Sequence, residues 1–118
     1  VFNNLGLVYQ DLGKDGAALN SFTSALERAP ENVALQINRR QLLLRREGKS
    51  TLDRYAVLVR EYPEQPQLWR AYASLLAEGG RLEEALRACQ MVLTLDPSDQ
   101  WVRQNLDQLR ARGEAGTD

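Results

Sequence analysis

The stretch GKDGAALNSFTSALERAP, residues 13–30, returns as GRLEEALRACQMVLTLDP, residues 80–97. Both run 18 residues from Gly to Pro, at an offset of 67. Ala18 aligns with Ala85, Leu19 with Leu86, Phe22 with Cys89, Ala25 with Val92, Leu26 with Leu93 and Pro30 with Pro97. A helix-like stretch precedes each copy, FNNLGLVYQDL in the first case and LWRAYASLLAE in the second. Pro cannot continue a helix and restrains the residue before it, so each copy closes where its Pro stands. The repeated object is a pair of helices. Its offset is one residue short of two periods of about 34.

This spacing resembles the tetratricopeptide repeat, a helix–turn–helix unit of about 34 residues. The family pattern runs large residue, Leu-Gly, Tyr, Ala, aromatic, Ala, Pro. The first repeat meets it with Phe2, Leu5, Gly6, Tyr9, Ala18, Phe22, Ala25 and Pro30. The third meets it with Trp69, Tyr72, Ala73, Leu76, Ala85, Cys89, Val92 and Pro97, with Ala for the small Gly and Cys89 where an aromatic is usual. The middle unit, 33–65, is degenerate. Tyr55, Leu58, Val59 and Pro63 keep the second-helix pattern, but Arg39 and Arg40 stand where Leu-Gly is expected. Its one-residue deletion is expected near the EGKST turn. After Pro97, SDQWVRQNLDQLRARG reads as a further helix, capped by Ser98 or Asp99, with Val102, Leu106 and Leu109 on one face and Gly113 as its stop.

The resemblance implies an all-α solenoid with a right-handed superhelix, its helices near 1–11, 15–29, 33–47, 50–62, 66–78, 82–95 and 98–112. The array spans 1–112: repeat one at 1–32, repeat two at 33–65, repeat three at 66–99, and at 100–112 a capping helix or the start of a fourth. Residues 113–118 are expected to be a flexible tail. VFNNLG begins near the third position of a unit, so the chain is expected to be a piece of a longer array, with neighbouring repeats beside it. Phe2, Leu5 and Tyr9 would then be poorly covered. Gly6 in mid-helix costs about 1 kcal/mol relative to Ala. It is tolerated where another helix must come close, and Ala18, Ala73 and Ala85 serve the same purpose.

Composition narrows the chemistry. Fifteen basic and 16 acidic residues leave a net charge of −1, which does not favour nucleic acid or an anionic membrane as partner. No apolar run approaches the roughly 18 residues of a membrane span. The single Cys89 excludes an intrachain disulfide, and with no His in the chain a zinc site of the usual Cys/His kind is excluded too. The commonest general base near neutral pH is also missing. Glu83 and Glu84 are adjacent, so on a helix they diverge by about 100° and cannot work as a carboxylate pair. No Gly-rich phosphate loop appears. Neither catalysis nor a cofactor is expected.

In the resembled family, first helices line a concave face that takes a peptide or protein surface. By register that face offers Asn3, Leu7, Gln10 and Asp11; then Asn38, Gln41 and Arg45; then Gln67, Arg70 and Ser74; then Trp101 and Gln104. Amides and Arg suit hydrogen bonding to a peptide or polar surface; a merely solvated groove is the plain alternative. Asn38, Arg45, Arg70 and Trp101 stand out because no packing role claims them. The clamp with which chaperone adaptors of the family hold a C-terminal carboxylate would fall at Asn3, Leu7, Asn38, Gln67 and Ala71. Only Asn38 matches, so chaperone-tail capture is not expected. Arg39, Arg40, Arg45 and Arg46 read as a solvated face whose stems cover Leu35 and Leu42, ahead of an anion site. Trp101 either packs on the preceding pair or stands in the groove. Cys89 reads as a small hydrophobe.

Taken whole, the Arg/Gln/Leu-rich run is also similar to the periplasmic repeat region of Pel-type exopolysaccharide exporters of Gram-negative bacteria, which join such a scaffold to an outer-membrane β-barrel. That likeness implies a periplasmic segment of an outer-membrane protein. Its groove would recruit a polysaccharide deacetylase or hydrolase. A cytoplasmic adaptor for a peptide or protein partner, or the regulatory domain of an enzyme, can be built on the same fold.

Overall fold

The computed structural model describes the backbone of residues 2–115 and the side chains of residues 6–113. Within these bounds the chain is all-α: α1 (Phe2–Asp11), α2 (Asp15–Arg28), α3 (Val33–Arg46), α4 (Thr51–Glu61), α5 (Pro66–Glu78), α6 (Leu82–Leu95) and α7 (Gln100–Ala115). Each expected helix is found within a few residues of its place.

The boundaries have a repeated chemistry. α2, α4 and α6 each end one residue before a residue that precedes Pro30, Pro63 or Pro97. Those pre-proline residues, Ala29, Tyr62 and Asp96, share φ between −129° and −141° with ψ between 65° and 88°, off the helical region as a following Pro requires. The first helix of each pair ends differently. At Gly13, Gly48 and Gly80 φ is positive, and the next N–H reaches back to a carbonyl five residues earlier: Lys14 to Tyr9 at 2.8 Å, Lys49 to Leu44 at 3.2 Å, Arg81 to Leu76 at 2.9 Å. This is the Schellman closure, which Gly enters without steric cost.

Two details depart from the expected boundaries. α7 does not stop at Gly113 but runs on to Ala115. Gly113 is not among the positive-φ glycines, and a Gly that keeps helical dihedrals weakens a helix without ending it. The shortening of the middle repeat lies in α4, which has 11 residues where α2 and α6 have 14.

The chain divides into two compact units, 1–49 and 50–118, and the division falls inside the degenerate repeat. In the first unit Ala18, Phe22, Ala25 and Leu26 of α2 pack with Leu35 and Leu42 of α3, and Tyr9 of α1 leans on this core. Tyr9 is thus half-buried rather than bare. Phe2 and Leu5 lie outside the described side chains, and the large apolar residues exposed on α1 and the turn after it are Leu7, Val8 and Leu12. In the second unit Ala73 and Leu76 of α5, Ala85, Ala88, Cys89 and Val92 of α6, and Val102, Leu106 and Leu109 of α7 form one core, with Leu52 of α4 packed against it. The offset of 67 carries Leu35 to Val102 and Leu42 to Leu109. Helices α1–α3 and α5–α7 are therefore the same three-helix block built twice.

Candidate functional site

The first helices carry the candidate groove, so their ends and inner neighbours decide where its side chains go. α3 is capped by Asn32, whose Oδ1 accepts from Leu35 N at 3.1 Å. α7 is capped at the equivalent place by Asp99, whose Oδ1 accepts from Val102 N at 2.9 Å. Of the two expected caps for α7, Asp99 does the work, while Ser98 Oγ donates to Asp96 Oδ1 at 2.8 Å. α5 has Pro66 in its first turn in place of a side-chain cap. One turn further on, a side chain from each helix reaches back to a proline carbonyl: Gln36 Nε2 to Pro30 O at 2.8 Å, Trp69 Nε1 to Pro63 O at 2.8 Å, Arg103 Nη2 to Pro97 O at 2.6 Å. The degenerate middle helix has lost the large aromatic at this position but keeps the hydrogen bond.

The expected groove residues separate into three groups. Arg45 and Arg70 are engaged inside the fold, which removes the ground on which they stood out. Arg45 Nη2 pairs with Asp15 Oδ1. Arg70 Nη1 donates to Asp99 Oδ2 at 3.0 Å, and Asp99 is only 6% exposed. Arg70 therefore neutralises the buried carboxylate that caps α7. Asn38 and Gln41 are half-buried and neither lacks a partner. Leu7, Asp11, Gln67 and Gln104 are exposed and Gln10 is half-buried, with Gln67 Nε2 donating to Gln65 Oε1 at 2.9 Å. The side chain of Asn3 lies outside the described residues.

Ser74 and Trp101 form the third group, because they line one cleft. It measures about 60 Å³ and lies between α5 and α7, floored by Ala73 and Cys89 and continued by Asn105, Gln108 and Arg112. Trp101 is 38% exposed, so it stands at the cleft mouth rather than in the core. Gln104 is not in the cleft; Asn105, Gln108 and Arg112 are, and sequence reasoning missed them. The signal was present: the offset of 67 turns Asn38, Gln41 and Arg45 into Asn105, Gln108 and Arg112. Asn105 Nδ2 donates to Trp101 O at 2.7 Å, which fixes the amide at the wall. Cys89 is fully buried. Burial pushes its thiol above the ordinary range, and the Asp99 carboxylate adds to the rise. It is an unreactive apolar floor.

A second, open depression of about 630 Å³ lies on another face of the α5–α6 pair, between Trp69, Tyr72, Arg87, Met91 and Thr94. Trp69 and Tyr72 meet there at a tilt of 56°, with centroids 6.3 Å apart.

Models described as tetratricopeptide repeat match residues 1–32 and 66–106, together more than half of the chain. The degenerate middle, 33–65, and residues 107–118 are left unmatched. No curated protein sequence matches. Among solved structures, the first repeat domain of Spaghetti (RPAP3) bound to the HSP90 peptide SRMEEVD is similar at a TM-score of 0.61 and 20% identity, over 94% of this chain and 91% of that one. A tetratricopeptide repeat protein from Parabacteroides merdae gives 0.63 and 24%, over 96% of this chain and 46% of its own. MamA from Desulfovibrio magneticus gives 0.60 and 20%, over 96% and 64%. At these identities the likeness is one of fold.

Proposed function

Because the chain belongs to the tetratricopeptide repeat family, we propose that it is a non-catalytic scaffold that holds a protein partner through side chains of its first helices. The observation that carries this reading is the cleft that Ser74 and Trp101 both line. Two helices bring a half-exposed aromatic and several amide and hydroxyl groups together, and no internal packing demands them there. A partly exposed Trp beside polar groups is the usual chemistry of an interface anchor. The Spaghetti domain, of similar fold and length, is bound to a peptide. The clamp mismatch at Leu7, Gln67 and Ala71 speaks against a chaperone tail as the partner here.

Within that reading, the native setting is the periplasmic part of an outer-membrane exopolysaccharide exporter, and the partner is an enzyme that modifies the polymer, a deacetylase or hydrolase. The support is the overall likeness to Pel-type exporters, together with a near-neutral charge that suits a protein rather than a polyanionic partner. The test pairs location with binding. The full-length protein is fractionated from its own cells, and the purified chain is titrated by calorimetry with the polysaccharide deacetylase of the same secretion system. Periplasmic recovery and binding that Trp101→Ala weakens by about 2 kcal/mol or more, with Arg87→Ala neutral, support the exporter. Cytoplasmic recovery with no binding to the deacetylase moves the chain to the adaptor alternative.

A further inference from the structure

Of the many differences between the two three-helix blocks, two bear on the cleft. In the first block Phe22 is fully buried, and Gly6 makes room for it: a Cβ on Gly6 would lie 2.5 Å from the Phe22 ring. In the second block Ala73 stands for Gly6 and Cys89 for Phe22. A methyl is gained on one side and an aromatic ring is lost on the other. The space left over is the cleft of about 60 Å³ that Ala73 and Cys89 both line. A water needs only about 10–15 Å³ and a drug-sized ligand about 300 Å³ or more. The cleft fits the end of one side chain.

The second difference is one of charge. In the first block Arg45 is paired with Asp15. The offset carries Arg45 to Arg112 and Asp15 to Leu82. Arg112 lines the cleft and, among the described residues, no carboxylate pairs with it. Among the described residues it is also the one charged side chain in the lining. The second block thus has a hole where the first has a phenyl ring, and a cation with no carboxylate partner among the described residues where the first has an ion pair. Arg112 and the floor of Ala73 and Cys89 line the same cleft.

We infer that this cleft takes from a partner the two groups that the first block supplies to itself: an apolar side chain, seated over Cys89 and Ala73 against Trp101, and a neighbouring carboxylate, held by Arg112. This rests on the reading of the chain as a protein-binding scaffold and gives the chemistry of the segment it selects, an apolar residue beside Asp or Glu. Asn105 spends its Nδ2 on Trp101 O, which leaves its Oδ1 to accept a backbone N–H of that segment. Burial of the apolar group gives affinity. The Arg112 guanidinium gives selection, since a carboxylate can meet it with charge-assisted hydrogen bonds.

The test uses three blocked peptides, acetyl-Gly-Leu-Asp-Gly-amide and its forms with Ala for Leu or Asn for Asp. Each is titrated into the labelled chain while NMR follows the Trp101 indole and the Asn105 and Gln108 side-chain amides. The leucine–aspartate peptide is expected to bind at least tenfold more tightly than either altered form. The double variant Ala73→Gly/Cys89→Phe rebuilds the filling of the first block, and is expected to lose tenfold or more at an unchanged helix content. Arg112→Gln, an exposed change that leaves the core alone, is expected to abolish the preference for aspartate over asparagine. Equal titration by all three peptides, or an Arg112→Gln chain that still prefers aspartate, overturns the inference. Should the deacetylase bind the wild type and the filled double variant alike, the scaffold reading stands and this one falls. Peptide selection without any protein partner would leave this inference standing and sink the partner named above.

Discussion

Arg70 holds Asp99 across 29 residues of chain: Nη1 lies 3.0 Å from Oδ2, while the other oxygen of the same carboxylate caps α7 through Val102 N at 2.9 Å. One buried acid thus ties α5 to the start of α7. Removing the Arg would strand a carboxylate whose side chain is 4% exposed. Arg70→Ala should destabilise the chain by about 1–3 kcal/mol, the range for a hydrogen bond to a charged group when one partner stays buried. Asp99→Ala should cost more, because the cap goes too. Urea titration of both variants and of the double variant gives the coupling between them; additive effects would mean that the pair is not formed in solution.

Gly6 and Phe22 make a steric pair. Gly6→Ala adds helix propensity worth about 1 kcal/mol, yet its methyl would meet the Phe22 ring at 2.5 Å. Overpacking of a buried site costs about 1–3 kcal/mol, so the net change in the wild-type chain should be a loss. In a Phe22→Cys background, which reproduces the Ala73–Cys89 arrangement, the same Gly6→Ala change should be neutral or stabilising. A thermal melt of the four chains in this cycle reads the reversal of sign directly.

How much of this was legible follows from where each feature is written. The helices were legible because their endings are local: a Pro two residues past the second helix, a Gly-Lys or Gly-Arg turn after the first. Gly113 misled because a glycine ends a helix only when its backbone turns left-handed, and residue type alone does not say that it will. That Ser74 and Trp101 line one cleft was legible as register. The fates of Arg45 and Arg70 were not, since their acids lie 30 and 29 residues away, beyond any local pattern. Asn105, Gln108 and Arg112 could have been read by carrying the 67-residue offset past Pro97. The alignment stopped there because the segment after Pro97 matched no signature of its own.

The raised thiol of Cys89 gives a pH signature. In the folded chain the neutral thiol is favoured by burial and by the Asp99 carboxylate. Its folded pKa is higher than the unfolded one, so above about pH 8.5, the ordinary thiol value, the unfolded state loses its proton first. Stability from this source is complete below that pH and is lost as pH rises through the folded pKa. Urea midpoints between pH 7 and pH 10 should fall more for the wild type than for Cys89→Ala. Parallel curves would show that Cys89 is reached by water.

Val8 and Leu12 are 52% and 64% exposed, with Leu7 at 38% beside them. Such a patch favours association. Sedimentation at rising concentration should show a shift that Val8→Glu/Leu12→Lys removes at an unchanged melting temperature. Monomeric behaviour of the wild type up to the highest soluble concentration would mean that the patch is too small to act.

The turns after α1 and α3 each present a lysine, Lys14 and Lys49, and these are the only two in the chain. Both are exposed, and both belong to the unit that ends at residue 49. The unit that contains the Trp101 cleft has no lysine at all. Coupling the protein to a sensor surface through its side-chain amines would therefore fasten it by the first unit and leave the residues of the Trp101 cleft chemically untouched.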